Sequence, residues 1–435
     1  MQTFRYRRNP GMRQQNLFGS GDRRSFLQQA GTSLALAMSP NLHIASAKAE
    51  DEPVRKPRIA AIVTEYRGYS HAELILGRFL QGHSLATTET HWPRTQVVSM
   101  YVDQFPPSDL SRGMAASYGV KMAPTIREAL TLGTDRLEVD GVLIIGEHGA
   151  YPLNNKGQLM YPRRRFFEEV VRTFEATNAT APIFNDKHLG FAWEDAKWMY
   201  DQSRQMNFPL MAGSSLPTTW RKPELELPLG CELEECLSIG YGGIEAYGFH
   251  ALETLQCMNE RRKGGETGVS AVTCLEGPRA WKAATEGLWS RSLLDAVTAC
   301  VAKKKPGTPE ENCRNPELFL IEYADGLKSS VITLDGYCAA FGFAGRLKNN
   351  PEPVASHFWL QEPTFGHFAW LTHNVESMFL TGKETYPPER TLLTTGILDA
   401  LMTSRAENHC RIETPWLAEV KYQVTGETGR RACLE

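Results

Sequence analysis

Two pairs of ionisable residues each follow an apolar stretch of the chain. Glu147 and His148 come shortly after Val139–Ile145, and Lys187 and His188 come after the next predicted strand. Because the carboxyl ends of parallel strands meet at one edge of a sheet, all four side chains are expected to face one crevice. A carboxylate, imidazoles and an amine can transfer protons there once burial has shifted their pKa values. Solvated surface turns are the alternative interpretation of both pairs.

A third candidate follows a glycine-rich turn at residues 240–248. His250 enters a predicted helix directly after this turn, and Glu253 follows one turn later. A lone histidine is more often a structural residue, but a histidine that follows such a turn is well placed to face a cleft. The pattern therefore adds His250 to the candidate acid–base residues.

The first turn of the predicted fold, Thr64–His71, lacks the signature of a dinucleotide site. Such sites use Gly-x-Gly-x-x-Gly so that the backbone can approach a pyrophosphate at a helix N-terminus. Here Gly68 is the sole glycine. Ser70 can cap the following helix, and Arg67 can offer charge to a phosphate. Asp103, at the end of the second predicted strand, stands where a ribose-binding acid belongs.

The elements that must position these residues fall into two groups. Strand and helix alternate five times up to residue 213, which predicts an α/β, Rossmann-like doubly wound domain over residues 58–222. From about residue 224 the strands become longer, and Ala324–Gly326 indicates a hairpin. Residues 223–435 are therefore predicted to form an α+β domain with an open, mainly antiparallel sheet.

The N-terminal segment has the layout of an export signal. A paired arginine opens Arg23–Leu27, a short apolar stretch covers Ala30–Met38, and Ala45–Ala47 offers a cleavage site. The pattern predicts a twin-arginine signal over residues 1–47, a linker over residues 48–57 and a periplasmic or otherwise exported protein. A disordered basic tail is the alternative. The remaining sequence holds no stretch apolar enough for a membrane span.

Composition narrows the choice of partners. The net charge of −3 gives no electrostatic case for nucleic acid.

Nine cysteines are present and none forms a Cys-x-x-Cys pair, so a zinc knuckle is not expected. Folding before export favours reduced, buried thiols, and Cys300 and Cys313 are the best candidates for a disulfide.

Two of these motifs are similar to those of a known family. Asp186–His188 is similar to a Glu-Lys-Pro motif, and Ala246–Glu253 is similar to Asp-x-Gly-x-His-x-x-Asp. The chain therefore resembles the Gfo/Idh/MocA family of glucose–fructose oxidoreductase and inositol dehydrogenase over most of its length. The resemblance implies a Rossmann domain followed by an open-sheet domain that commonly packs against a partner subunit. It also implies that Lys187 and His250 are catalytic, with His188 beside them.

The resemblance further implies a cofactor and a substrate. Members of the family use NAD or NADP and act on small sugars or polyols. The residues expected to contact the cofactor are then Glu65, Arg67, Gly68, Ser70, His71, Asp103, Glu147 and His148.

The departures from the family pattern point to a different chemistry. The glycine loop is absent, Glu147 and His148 replace a Pro-Asn pair, and His188 replaces the proline of the lysine motif. These changes add imidazoles to the crevice. Three imidazoles can bind a divalent metal such as zinc, so the alternative cofactor is a metal held by His148, His188 and His250. Hydrogen bonds from these histidines to substrate hydroxyls are the other alternative.

Three functions therefore remain open from the sequence. The first is an exported sugar or polyol oxidoreductase with a nicotinamide cofactor. The second is a non-redox, metal-dependent lyase, hydrolase or epimerase on the same fold. The third is a carbohydrate-binding protein without catalysis.

Overall fold

The computed structural model describes residues 55–85, 90–361 and 365–426. The predicted export signal at residues 1–47 lies outside the described residues, as do residues 48–54 of the predicted linker and Cys433. Export and the exact domain limits remain predictions.

The first half of the described chain alternates strands and helices. In chain order its elements are β1 (Arg58–Val63), α1 (His71–Gln81), β2 (His83–Ser84), β3 (Thr90–His91), β4 (Gln96–Val102), α2 (Ser111–Tyr118), β5 (Lys121–Met122), α3 (Ile126–Thr131), β6 (Gly141–Ile145), α4 (Arg163–Thr177), β7 (Ile183–Asp186), α5 (Trp193–Gln205) and β8 (Leu210–Gly213). Six strands form a parallel sheet in the order β5-β4-β1-β6-β7-β8. This is the Rossmann order, which reverses between β1 and β6, so the predicted doubly wound fold is confirmed.

The burial of β6 explains why its sequence is apolar throughout. All five residues of Gly141–Ile145 are buried because helices cover both faces of the sheet. On one face, α4 packs through Phe166, Val170 and Phe174, which follow one another at helical spacing. The carboxyl ends of the parallel strands therefore lie at one edge of the sheet. The predicted site residues follow the strands at this edge.

The second half contains longer strands and six further helices. Its elements are β9 (Trp220–Lys222), β10 (Leu233–Gly240), α6 (Ala246–Asn259), β11 (Val269–Glu276), α7 (Pro278–Thr285), α8 (Arg291–Ala299), α9 (Pro309–Asn312), β12 (Glu317–Tyr323), β13 (Lys328–Thr333), β14 (Phe341–Leu347), β15 (Val354–Trp359), α10 (His367–Thr381), α11 (Glu389–Ala406) and β16 (Ile412–Glu413). A 3-10 turn at Leu216–Thr218 precedes β9.

Eight strands of this half form one open sheet in the order β16-β11-β12-β13-β10-β14-β15-β9. Its pairs are antiparallel except for β10 with β13, and β12 and β13 form the predicted hairpin. The predicted open, mainly antiparallel sheet is therefore confirmed.

Three helices join the two sheets and complete the crevice. Helix α6 packs on β10 and α11, while α11 also packs on α5. Helix α10, from the C-terminal half, packs on α1 of the parallel sheet. The carboxyl edge of the parallel sheet is thus closed by the start of α6 and by α10.

Two smaller expectations concern the cysteines and membrane-spanning helices. The eight described cysteines are all free, so the proposed Cys300–Cys313 disulfide is not present. Cys313 is buried and donates to the carbonyl of Thr333, which gives its thiol a partner in the core. Among the described residues, no helix is both long and apolar enough to cross a membrane.

Candidate active site

A cavity of about 390 Å³ lies at the carboxyl edge of the parallel sheet. The loops after β1, β6 and β7 form one side of it, and α6, β14 and α10 form the other. Its ionisable lining residues are His71, Glu147, His148, Lys187, His250 and His367. Its aromatic lining residues are Tyr69, Tyr241, Tyr247, Phe341, Phe365 and Phe368. Five residues that the sequence singled out therefore meet in one place: His71, Glu147, His148, Lys187 and His250.

Lys187 and Glu147 form a buried ion pair at the base of this cavity. Lys187 Nζ lies 2.8 Å from Glu147 Oε1, and Arg163 Nη2 lies 2.5 Å from Glu147 Oε2. Burial alone would raise the pKa of Glu147, but the two cations lower it well below its usual range. Gly146 makes room for this arrangement, because a Cβ there would lie 2.7 Å from Arg163 Cγ. The cavity therefore holds an ammonium group whose orientation is fixed by a carboxylate.

The backbone at two of these residues is in the left-handed region. Lys187 has φ 55° and His148 has φ 72°, a conformation that is uncommon for residues with side chains. The turn is held because the Lys187 amide donates to the carbonyl of Gly213 at 3.0 Å. Strained backbone of this kind clusters at functional sites, where it aims a side chain that a relaxed turn would not.

His250 is oriented by a chain of two buried residues. Its Nδ1 lies 2.9 Å from Ser214 Oγ, and that hydroxyl donates a very short hydrogen bond to the Glu253 carboxylate. While Glu253 is ionised, the Ser214 proton points to its carboxylate, so Nδ1 carries the ring proton of His250 and Nε2 has the lone pair. Burial, reinforced by Lys187, lowers the pKa of His250 well below its usual range. His250 is thus a neutral imidazole that can accept a proton.

Glu253 is expected to make the stability of the protein depend on pH. Burial raises its pKa from 4.5 to about 7, so the native state keeps a proton that the unfolded chain has lost between these values. The free energy of unfolding should therefore fall as pH rises through this window, by on the order of 3 kcal/mol from this residue. Glu253→Gln, which carries no titrating proton, should remove that part of the dependence.

Urea unfolding of wild type and Glu253→Gln at several pH values between 4.5 and 8 measures this effect. Glu317, whose pKa burial also raises to about 7, is present in both proteins, so its contribution cancels in the difference. Parallel pH profiles for the two proteins would show that Glu253 does not titrate in this window.

His148 and His71 also belong to the ionisable lining. Burial, with His71 nearby, lowers the pKa of His148 to about 4, and its buried Nε2 has no hydrogen-bond partner among the described residues. His71 Nδ1 lies 2.7 Å from Oδ2 of the buried Asp186. The two rings contact edge to face, with centroids 5.4 Å apart. His148 therefore offers a free polar atom to a bound molecule, whereas His71 is held by Asp186.

His188 lies outside this described lining. It is 2 % exposed, and its Nε2 is 3.0 Å from Arg163 Nη1. Its predicted place among the catalytic groups would require contact with substrate, which this position does not provide. Its geometry instead fits a residue that positions Arg163, and through it Glu147.

The expected zinc site of His148, His188 and His250 is not supported. Among the described residues, the one group of three ligands that comes close enough to hold an ion lies elsewhere, at His91, His373 and Glu376. The physical reason is that the nearest partner of His188 is the guanidinium of Arg163, a cation that opposes metal binding.

The turn after β1 is filled by contacts within the chain. Arg67 Nε lies 2.5 Å from Glu65 Oε1, so the charge predicted for a phosphate is neutralised. Ser70 caps α1 by accepting from the Glu73 amide, and the Glu73 carboxylate accepts from the Tyr69 amide. A carboxylate thus occupies the helix N-terminus where a pyrophosphate would bind. Gly68 has open space around it, yet it adds no phosphate-binding group.

The Asp103 carboxylate is likewise occupied by contacts within the chain. Its carboxylate accepts from Tyr101 at 2.7 Å and from Tyr151 at 2.8 Å, and it pairs with Arg165 at 2.7 Å. Tyr151 belongs to the loop after β6, which folds over the end of β4. The acid expected to bind a ribose is therefore covered by the chain itself. Together with the filled turn after β1, this means that the residues present do not fit a dinucleotide in the usual Rossmann position.

Several site residues could not be found from the sequence. Arg163 stands in a run of three arginines, and nothing distinguishes it from its exposed neighbour Arg165. Ser214 follows a short strand without any motif. His367 and Phe368 belong to α10, whose sequence is apolar on nearly all sides and so shows no helical periodicity.

Comparison with known proteins identifies relatives of the fold. No protein-family model and no curated protein matches this sequence. The crystal structure of GenD2 from gentamicin A biosynthesis in complex with NAD is 14% identical, with a TM-score of 0.53, and the match covers 83% of this chain and 97% of that chain. Myo-inositol dehydrogenase from Lactobacillus casei in complex with NAD(H) and myo-inositol is 10% identical, with a TM-score of 0.52, and covers 86% and 98%. At these identities the likeness establishes the two-domain fold.

Proposed function

We propose that this chain is an enzyme that moves a proton at a hydroxyl group of a sugar or polyol. The observation that carries the proposal is the meeting of a neutral imidazole, His250, and a fixed ammonium, Lys187, in one cavity. His250 accepts the hydroxyl proton, and Lys187 stabilises the oxygen as it becomes negative. A positioned acid–base group typically contributes ~100- to 10 000-fold to a rate.

The lining favours an uncharged, hydroxylated substrate. Within the described lining Lys187 is the one basic side chain besides histidine, and Glu147 neutralises it. A phosphorylated or acidic substrate would therefore find no spare positive charge. The rings of Tyr247 and Phe341 stack at an interplanar angle of 15° and offer an apolar surface beside the polar groups. Such a mixture of aromatic faces and a few polar groups suits a ring that carries several hydroxyls.

Two reaction classes are compatible with this site. Oxidoreduction of a sugar or polyol with NAD or NADP is supported by the fold, since both neighbours described above contain NAD. A non-redox reaction, such as elimination, hydrolysis or epimerisation, is favoured by the contacts of Glu73 and Asp103, which fill the places of a pyrophosphate and a ribose. These contacts are specific to this chain, whereas the fold hosts many chemistries, so we infer the non-redox class.

The two classes are separated by measuring nucleotide content. Purified protein is denatured, and released nucleotide is quantified by absorbance and mass; intact protein is titrated with NAD, NADH, NADP and NADPH by calorimetry. We expect no stoichiometric nucleotide and no saturable binding. One equivalent of tightly held nucleotide per chain would overturn the non-redox inference and establish the oxidoreductase alternative.

A panel of neutral sugars and polyols tests the substrate class independently. A bound substrate is expected to raise the melting temperature of wild type and to be converted by it. Binding without conversion of any compound would support the carbohydrate-binding alternative instead. If no member of the panel bound, the proposed substrate class would be wrong.

A further inference from the structure

A second group of ionisable side chains lies between the hairpin β2–β3 and helix α10. It consists of His83, His91, His373 and Glu376. None of the four lines the cavity described above. Any function of this group is therefore separate from the proposed proton transfer.

Three of these residues, His91, His373 and Glu376, bring their ligand atoms close to one another. His91 Nε2 lies 2.5 Å from Glu376 Oε2, and the rings of His91 and His373 have centroids 5.4 Å apart. One ligand atom from each of the three lies within 4.8 Å of the others. His373 and Glu376 are three residues apart on α10, a spacing that places both on the same face.

The residues around Glu376 hold its carboxylate in place, and a fourth histidine, His83, lies beside His91. The amide of Arg94 donates to Glu376 Oε1, which holds the carboxylate so that Oε2 faces His91. His83 is 8 % exposed, its ring centroid is 5.0 Å from that of His91, and its ring nitrogens have no side-chain hydrogen-bond partner among the described residues.

We propose that this group binds one divalent transition-metal ion of the zinc class. His91, His373 and Glu376 are the first three ligands, and His83 is the fourth. Imidazole and carboxylate ligands together suit zinc and its neighbours, whereas calcium and magnesium prefer oxygen alone. Four protein ligands close a tetrahedral site, which is the arrangement of structural zinc.

The ion would fasten the hairpin of the parallel-sheet half to a helix of the C-terminal half. Ligand atoms that are ~2.1 Å from a tetrahedral ion lie roughly 3.4 Å from one another. Ligand atoms that lie up to 4.8 Å apart must therefore approach by up to about 1.4 Å, whereas His91 Nε2 and Glu376 Oε2, 2.5 Å apart, must separate by about 0.9 Å. In return, the ion replaces the His91–Glu376 hydrogen bond with bonds that cross between the two halves.

Zinc retention by the full chain tests the proposal. Protein is treated with EDTA, dialysed, mixed with a small excess of zinc sulfate and desalted, and zinc per chain is measured by elemental analysis. Wild type is expected to keep about one equivalent, and its melting temperature is expected to rise with zinc and to fall again with EDTA. His91→Ala combined with His373→Ala should retain none, and His83→Ala should bind on the order of 10-fold more weakly.

The matched control is His357→Ala combined with His409→Ala, which removes two histidines outside both the group and the cavity. It should retain zinc like wild type. If the first double variant fails to fold, Glu376→Gln serves in its place, with cobalt as the probe. Tetrahedral cobalt absorbs visible light, and this absorption should weaken in the variant. Equal retention in the two double variants, or no zinc in wild type above the level of a metal-free carrier protein, would overturn the proposal.

Discussion

Lys187→Met is expected to lower kcat/KM on the sugar or polyol substrate by ~100- to 10 000-fold. The ammonium of Lys187 is held by Glu147 at 2.8 Å inside the cavity, where it can stabilise a hydroxyl oxygen that loses its proton. Methionine keeps the length and apolar stem of the side chain but donates no hydrogen bond. Glu147 keeps its second partner, Arg163, so the fold should survive the change.

The matched control is Lys156→Met, which breaks a lysine ion pair with Asp399 of the same length, 2.8 Å, outside the described lining. It should retain wild-type activity. A further test uses Lys187→Ala with added alkylamine, because an amine that enters the cavity should restore part of the rate only if the lost ammonium takes part in the chemistry. Equal activity of the two methionine variants would contradict the assigned role.

Arg390→Met is expected to lower the free energy of unfolding by about 3–5 kcal/mol. Arg390 and Glu260 are each 1 % exposed, and Arg390 Nε lies 2.9 Å from Glu260 Oε2. The hydroxyl of Tyr422 also donates to that carboxylate, at 2.9 Å. Without the guanidinium, the Glu260 carboxylate would remain buried with a single neutral donor, and an uncompensated buried charge is among the most destabilising changes in a protein.

Urea unfolding followed by tryptophan fluorescence measures this loss, and Arg411→Met provides the control. Arg411 pairs with Glu322 at 2.7 Å, but their side chains are 43% and 39% exposed, so its loss should be under ~1 kcal/mol. Adding Glu260→Gln to Arg390→Met should recover part of the stability, because the buried charge is then gone. A loss in Arg390→Met no larger than in Arg411→Met would show that the pair is solvated.

Contacts within the chain occupy the position where a dinucleotide would bind in this fold, and this bears directly on function. In the neighbours NAD is present, whereas here Glu73 meets the backbone before α1, and Tyr101, Tyr151 and Arg165 surround Asp103. Opening this position would require breaking the contacts of two carboxylates. The places expected for a pyrophosphate and a ribose are thus taken by contacts within the chain, whereas Lys187 and His250 line the cavity.

Much of this architecture could be predicted from local pattern. The apolar run of β6, the alternation of strands and helices, and the hairpin at Ala324–Gly326 depend on short-range periodicity, which is visible in a single sequence. The rule that ligands bind at the carboxyl ends of parallel strands then placed Glu147, His148 and Lys187 together. Two motifs of the resembled family pointed to Lys187 and His250. The export signal and the nature of the substrate remain predictions.

The tertiary structure alone decided which of these residues face the cavity. His188 stands next to Lys187 in the chain, yet one points at Arg163 and the other into the cavity, because Lys187 is held at φ 55°. The group of His83, His91, His373 and Glu376 unites residues almost 300 positions apart, so no spacing rule could reveal it. Local sequence determines the periodic elements, since their hydrogen bonds and burial repeat over a few residues. Which residues form a site depends instead on the distant side chains that packing brings into contact. It also depends on which of their charges neutralise one another.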